Sequence, residues 1–254
     1  MSQPHSPDDP RPLTEPRPKV RLYVDQPLGP GQQVALSQDQ GHYVANVMRM
    51  AQGEAVALFN GRDGEWRARI ASLGKRGVAL TCEAPTAPQG MPPDLWLLFA
   101  PVKKARTDLI VEKAVELGAA RVMPVLTDYT NAERLRSDKM RAHAIEAAEQ
   151  CGATFVPEVA EAQPLARLLA AWPGGRLLWW ADESLPPGTA PDPAPAPAAI
   201  LIGPEGGFSP AERARLATLP FVRRMSLGPR ILRAETAALA ALVLWQAAHG
   251  DWRG

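Results

Sequence analysis

The stretch LIGPEGGFSPAER, residues 201–213, decides the fold class of this chain. It opens on an apolar run that reads as a buried strand, breaks at Gly203-Pro204-Glu205-Gly206-Gly207, and starts a helix almost at once. Ser209 stands at the N-cap with Pro210 at the first helical position, and Glu212, three residues after the serine, completes a capping box. Glycines at the carboxyl end of a strand let the backbone approach a ligand, in the crevice where open α/β sheets hold small molecules. A tight structural turn would use the same residues, so this loop alone leaves both readings open. It is not a phosphate loop, which needs Gly-Lys-Ser/Thr, and it is not a GxGxxG turn.

A second segment, MSLGPRILRAETAALAALVLWQ at 225–246, repeats the grammar. A strand runs into Gly228-Pro229, a loop with Arg230 and Arg233 follows, and then an alanine-rich helix begins. A helix this apolar on most faces belongs in a core or against another subunit. The arginines lie beside a glycine loop, although a surface salt bridge with Glu235 would also account for them. Two Gly-Pro loops on strands expected to be neighbours strengthen the ligand reading.

Upstream, LWLLFA (95–100), RVMPVL (121–126), RLLWWA (176–181) and AILIG (199–203) read as strands. Helices are expected over 104–117, with Leu109, Val111, Ala114, Val115 and Leu117 as its apolar face and Gly118 as its stop, and over 137–150. A Pro/Ala loop spans Pro186 to Pro197. Strands alternating with helices predict an α/β domain with a mostly parallel sheet covered on both faces.

The N-terminal third speaks differently. Between Arg21 and Pro85 the apolar residues fall in short, nearly alternating runs: RLYV, QVAL, AVALFN, EWRARI and GVALTC. Asn60-Gly61 followed by Asp63-Gly64 favours a hairpin turn. Short strands at close spacing predict a small β-barrel, interrupted by a helix at His42 to Met50 with Val44, Val47 and Met48 at helical spacing. Proline and glycine cluster at 84–93, the candidate boundary. The expected organisation is a proline-rich disordered tail at 1–19, the barrel at 20–85, a linker at 86–94, and the α/β domain at 95–254.

The 254 residues are 46% hydrophobic and 22% charged, a globular composition, and the net charge of +1 announces no polyanion partner by itself. Cys82 and Cys151 are far apart, without the paired ligand spacing of a zinc site, and reduced cysteines suit the cytoplasm. No apolar run approaches the roughly 20 residues of a membrane span, and the N-terminus lacks a signal-peptide core. Neither a metal nor a membrane is expected. His42, Tyr23, Phe59, Trp66, Trp179 and Trp180 read as packing residues.

The sequence resembles the ribosomal RNA small subunit methyltransferase E family of the SPOUT superfamily, over nearly all of the chain from Arg21 onward. LIGPEGGFS at Leu201 and LGPRILRAETAAL at Leu227 carry the resemblance, supported by VEKAVELGA at Val111, EAAEQCG at Glu146 and the segment from His42 to Ile70. It implies a PUA-like barrel, a C-terminal α/β domain with a deep trefoil knot, a homodimer, and 3-methyluridine formation in 16S rRNA with S-adenosylmethionine, within the small ribosomal subunit. Relatives tend to carry Arg-Trp where this chain has Lys139-Met140-Arg141, and arginine where it has Ala153, positions expected to face RNA.

The resemblance also assigns a site. The cofactor is expected between Ile202, Gly203, Pro204, Glu205 and Gly206 on one side and Leu227, Gly228, Ile231 and Leu232 on the other. The turn from Ala181 to Glu183 would form a third wall, and Thr236 would also belong to the site. Uridine N3 lies on the Watson–Crick edge, so the base must be unpaired, and loss of its proton spreads negative charge onto O2 and O4. Arg233 is expected to stabilise that charge, with Arg230 second, and Glu235 to orient Arg233 or act as base. RNA contacts are expected from Arg49, Arg62, Arg67 and Arg69 and from Lys103, Lys104 and Arg106, although each alone also reads as a solvated charge. A SPOUT ribose methyltransferase would tend to carry Ser-Leu-Asn where Arg233-Ala234-Glu235-Thr236 stands. A non-catalytic RNA-binding protein of the same fold would need no cofactor.

Overall fold

A computed structural model of the chain describes residues 18–74, 77–131, 135–186 and 197–253. The tail expected at 1–19 falls almost wholly outside them, as does most of the Pro/Ala loop. The chain divides into two compact units, Met1–Gln89 and Gly90–Gly254.

The first unit is a five-stranded mixed sheet of β1 (Arg21–Tyr23), β2 (Gln33–Ala35), β3 (Ala55–Phe59), β4 (Glu65–Gly74) and β5 (Gly77–Ala87), in the order β1-β3-β4-β5-β2. β1 and β3 are parallel, and the other pairs are antiparallel. Alternation sends Leu22, Val34, Val56, Leu58, Ile70 and Leu80 into one core, while three register shifts between β4 and β5 curve the long hairpin around it. The Asn60-Gly61 turn forms as read: the Asn60 side-chain oxygen accepts from the Arg62 and Asp63 amides, and the Asp63 carboxylate accepts from Leu28 N–H. β5 runs through Pro85 to Ala87, so the first residues of the expected boundary are strand.

The expected 42–50 helix is different in kind. Helix α1 (Gln38–His42) passes directly into a π-helical turn, Tyr43–Val47. The wider turn breaks the 3.6-residue spacing, so of the expected apolar face only Val44 is buried, while Val47 and Met48 are exposed. His42, read as packing, is exposed too and bonds only its neighbour Asn46 among the described contacts.

The second unit is a parallel sheet of β6 (Leu95–Phe99), β7 (Arg121–Leu126), β8 (Glu158–Val159), β10 (Leu177–Ala181), β11 (Ala198–Ile202) and β12 (Val222–Met225), with β9 (Gln163–Pro164) also pairing β7. The order is β12-β10-β11-β6-β7-β8. β11 is buried at every residue, as a strand covered on both faces must be. On one face α4 (Leu165–Ala170) and α5 (Pro210–Thr218) bury Leu165, Leu168 and Leu216 against Leu98, Leu178, Trp180 and Leu201. Alternation turns Trp179 to the opposite face. There α2 (Lys104–Glu116) packs against α3 (Ser137–Cys151) and against α6 (Ala234–His249), which also meets β11. The α2 face centres on Ile110, Val111, Ala114 and Val115, with Leu109 and Leu117 only half-buried. Gly118, at φ +72, ends it by letting Ala119 N–H reach back to Ala114.

The last strand closes at Met225, so Ser226 and Leu227 separate it from the Gly228-Pro229 turn it was expected to run into. A knot is a property of the whole chain path, and that path runs through 187–196, outside the described residues.

Candidate active site

β12, β10 and β11 are adjacent and parallel, and their carboxyl ends are nearly level, with Trp180 opposite Leu201 and Ala181 opposite Met225. Each strand is followed at that end by a loop, and the three loops enclose a cleft of about 250 Å³. The two Gly-Pro loops therefore meet, although their strands are not neighbours: β10 lies between them and supplies the wall that joins them.

Ala181 and Glu183 line the cleft from β10, Ile202 through Gly206 from β11, and Leu227, Gly228, Ile231 and Leu232 from β12. Arg230 lines it as well. Thr236 does not: it lies one turn into α6 with its side chain exposed. Asp182 lines it within the turn expected as the third wall, whereas sequence reasoning missed Gly207, Phe208, Ala234 and Ala237. Ala234 and Ala237 follow from the start of α6 closing the floor, which no local motif marks.

Glycine at two positions has a steric reason. A Cβ on Gly203 would come within 2.8 Å of the Phe208 ring, which the loop folds under itself. Gly228 sits at φ +103, where an L side chain is strained. The first loop is fixed at its far end by the capping box of α5: Ser209 Oγ accepts from Glu212 N–H and Glu212 Oε2 from Ser209 N–H. Ser209 Oγ also donates to Asp128, and Asp128 N–H donates to Glu212 Oε1. The adjacent Tyr129 is half-exposed and lies against Gly206, an aromatic at the site that the sequence did not announce.

The third wall is fixed by charge. The Asp182 side chain is fully buried and accepts from the Ser184 N–H and hydroxyl, from Arg213 at 2.8 Å and from Arg224 at 2.6 Å. Burial alone would push this carboxyl up, but the Ser184 and Arg224 hydrogen bonds and the Arg213 charge hold it below the usual carboxylate range. Arg213 also reaches Glu183 at 2.8 Å.

The other expected residues divide clearly. Arg233 is the N-cap residue of α6, exposed and without an ion pair among the described residues, and Arg230 is likewise exposed. Glu235 meets neither: its Oε1 lies 3.4 Å from Arg106 Nε, and its Oε2 is buried without a hydrogen bond. Arg106 is therefore committed within the site rather than presented to solvent alone. Arg67 is buried at 4% exposure, although its strand neighbours Trp66 and Ala68 are the ones that face the barrel core, and it offers no surface to RNA. Arg69 is held by Glu83 and the Gly53 carbonyl, Arg62 by the Asp25 carbonyl, and Lys104 by Asp108. Lys103 is exposed at the head of α2. Arg49 is exposed at φ +53, the one non-glycine residue with positive φ among those described. Met140, at a position expected to face RNA, is buried in the α3 core face, and Ala153 is half-buried. No cluster of His, Cys, Asp or Glu among the described residues could hold a metal ion, and none of the described helices is long and apolar enough to cross a membrane.

An apolar cleft floored by glycine and alanine, with acidic rim groups and two exposed arginines alongside, suits a flat heterocycle joined to a cationic chain. Residues 90–246 match the RNA methyltransferase domain family, and residues 36–81 match the RNA methyltransferase PUA domain family. A methyltransferase from Legionella pneumophila, solved with bound cofactor SAM, is 32% identical with a TM-score of 0.82, over 92% of this chain and 99% of its own. A ribosomal RNA small subunit methyltransferase E from Neisseria gonorrhoeae, bound to S-adenosylmethionine, is 28% identical with a TM-score of 0.79, over 92% and 99%. The ribosomal RNA small subunit methyltransferase E of Mycobacterium tuberculosis is 30% identical over 87% of this chain and 88% of its own length.

Proposed function

Because the chain belongs to the RNA methyltransferase family that includes the ribosomal RNA small subunit methyltransferases E, we propose that it methylates N3 of a uridine in 16S rRNA with S-adenosylmethionine. The observation that carries this is the convergence of three loops from adjacent parallel strands on one cleft, with the exposed Arg230 on its lining and Arg233 at the start of α6 just after it.

The cleft fits the cofactor by its chemistry. Ile202, Leu227, Leu232, Ala234 and Ala237 offer apolar surface for an adenine, and Gly203, Gly206 and Gly228 leave room for backbone contact. Glu183 and Glu205 present half-exposed carboxylates on the lining that suit an ammonium, whereas the charge of the buried Asp182 is already answered by Arg213 and Arg224. When bound, S-adenosylmethionine supplies an already activated methyl group, so the protein's task is orientation. Arg233, and after it Arg230, meets the negative charge that forms on the uracil oxygens as N3 loses its proton. Glu235, facing Arg106, supports this arrangement by position.

RNA is held by the PUA-like unit, where Arg49 is an exposed cation, and by the exposed Lys103 at the head of α2. The work is done in the cytoplasm on the small ribosomal subunit. A homodimer is supported by α6, whose Val243 and Leu244 are exposed at 36% and 48%, with Trp252 beyond at 51%.

The test is to incubate the purified chain with S-adenosylmethionine and either naked small-subunit rRNA or assembled subunits, then identify methylated nucleosides by mass spectrometry. 3-Methyluridine is expected. Arg233→Ala should keep cofactor affinity and lose turnover about a hundredfold. A methyl group on ribose or on another base position, or full turnover in Arg233→Ala, overturns the reading.

A further inference from the structure

We propose that Arg106 is a positioning residue that ties the two glycine loops of the cleft together and so sets cofactor affinity; this rests on reading the cleft as the S-adenosylmethionine site. The first turn of α2 contains Lys104 and Arg106 and no acidic residue. Cations at a helix N-terminus oppose the helix dipole, so their charge needs an answer elsewhere. Lys104 finds one on its own helix, Asp108 at 2.8 Å. Arg106 finds its partners across the site.

Its Nη1 lies 3.8 Å from Glu205, which lines the cleft in the loop after β11. Its Nε lies 3.4 Å from Glu235, in the first turn of α6, directly after the loop that forms the opposite wall. One guanidinium thus joins three segments distant in sequence, reaching Glu205 on one wall and Glu235 on the helix that follows the other. The Glu235 side chain is only 15% exposed and its second oxygen has no hydrogen bond, so Arg106 is its ion-pair partner among the described residues. Without that cation the buried carboxylate is drawn toward water, and the start of α6 moves with it. Ala234 and Ala237 of the same two turns line the cleft, so the displacement reaches the ligand. Both contacts are at ion-pair rather than hydrogen-bond distance, so charge matters more than fork geometry, and lysine retains part of the function.

The experiment compares the full chain with Arg106→Ala and Arg106→Lys by calorimetry with S-adenosylmethionine. Parallel measurements give the melting temperature without ligand and affinity for a small-subunit rRNA transcript. Arg106→Ala should weaken cofactor binding about five- to tenfold, and Arg106→Lys about two- to threefold. RNA affinity should stay at the wild-type value while melting temperature falls by a few degrees, and added salt should narrow the gap in cofactor affinity between wild type and Arg106→Ala. Unchanged cofactor affinity in Arg106→Ala overturns the proposal, as does a loss of RNA affinity with cofactor affinity intact. Should Arg106→Ala fail to fold, Arg106→Lys decides: cofactor affinity equal to wild type overturns the proposal. Wild-type chain that binds no S-adenosylmethionine defeats the assignment of the cleft instead, a result separable from the others.

Discussion

At the scale of single residues, Asp182 shows how a wall of the site is held. Its carboxylate has left water entirely, and Ser184, Arg213 and Arg224 replace the lost hydration. Asp182→Asn keeps the shape but leaves two arginines facing a neutral amide. Because both arginines are partly exposed and can turn to water, the loss should be about 2 kcal/mol, below that of a fully buried pair, read from urea unfolding at neutral pH. The folded-state pKa of this group is depressed, so its stabilisation is complete above the unfolded value of about 3.9 and fades as pH falls through the lower folded value. Asp182→Asn should therefore flatten the acid limb of the melting curve below about pH 4. The turn holding Asp182 was expected at the site, but nothing in the sequence announced its arginine partners, which lie 31 and 42 residues away. Arg67 fails in the opposite sense: it is buried although Trp66 and Ala68 on either side of it face the barrel core, and a basic residue in a strand carries no mark of whether its face is covered.

At the scale of elements, the start of α5 was legible because its signal is local. Ser209, Pro210 and Glu212 satisfy the free amides of the first turn wherever the helix lies, and the structure shows both arms of the capping box. Ser209 does one thing more, donating to Asp128 and so pinning the loop after β7 to the glycine loop. Ser209→Ala removes both, and should cost about 1–2 kcal/mol by chemical denaturation. It should also weaken S-adenosylmethionine binding severalfold in calorimetry, because the glycine loop loses its fixed end. A variant as tight-binding and stable as wild type would show that the cap is incidental. The π-helical turn at Tyr43–Val47 was illegible for the converse reason. Periodicity assumes a constant pitch, so a wider turn moves Val47 and Met48 off the face to which spacing assigned them.

At the scale of the molecule, the exposed apolar residues on α6 matter most. Val243 and Leu244 face outward from a helix whose Ala238, Ala241, Leu242 and Trp245 are buried in the domain core. A second copy covering this face would explain why the helix is apolar on both sides. Light scattering should give a dimer at micromolar concentration, and Leu244→Glu should give a monomer with the same secondary structure. A wild-type chain that stays monomeric over that range excludes the dimer. The adjacency of the cleft loops also belongs to this scale. Each Gly-Pro motif is a local fact, but their meeting depends on β10 lying between β11 and β12 with level ends.

The sequence by itself determined the α/β class of the second unit, the strand–glycine–helix grammar of both loops, and most of the cleft lining. The class and the loop grammar follow from hydrophobic period, turn chemistry and capping, which act within a few residues and need no partner, and the lining from the family resemblance those loops carry. Tertiary structure alone decided which arginines are free and which are committed: Arg106 to Glu205 and Glu235, Arg213 and Arg224 to Asp182, Arg67 to the interior. Charge pairing acts through space over a few ångströms, and segments a hundred residues apart reach that range only once the sheet has set their order.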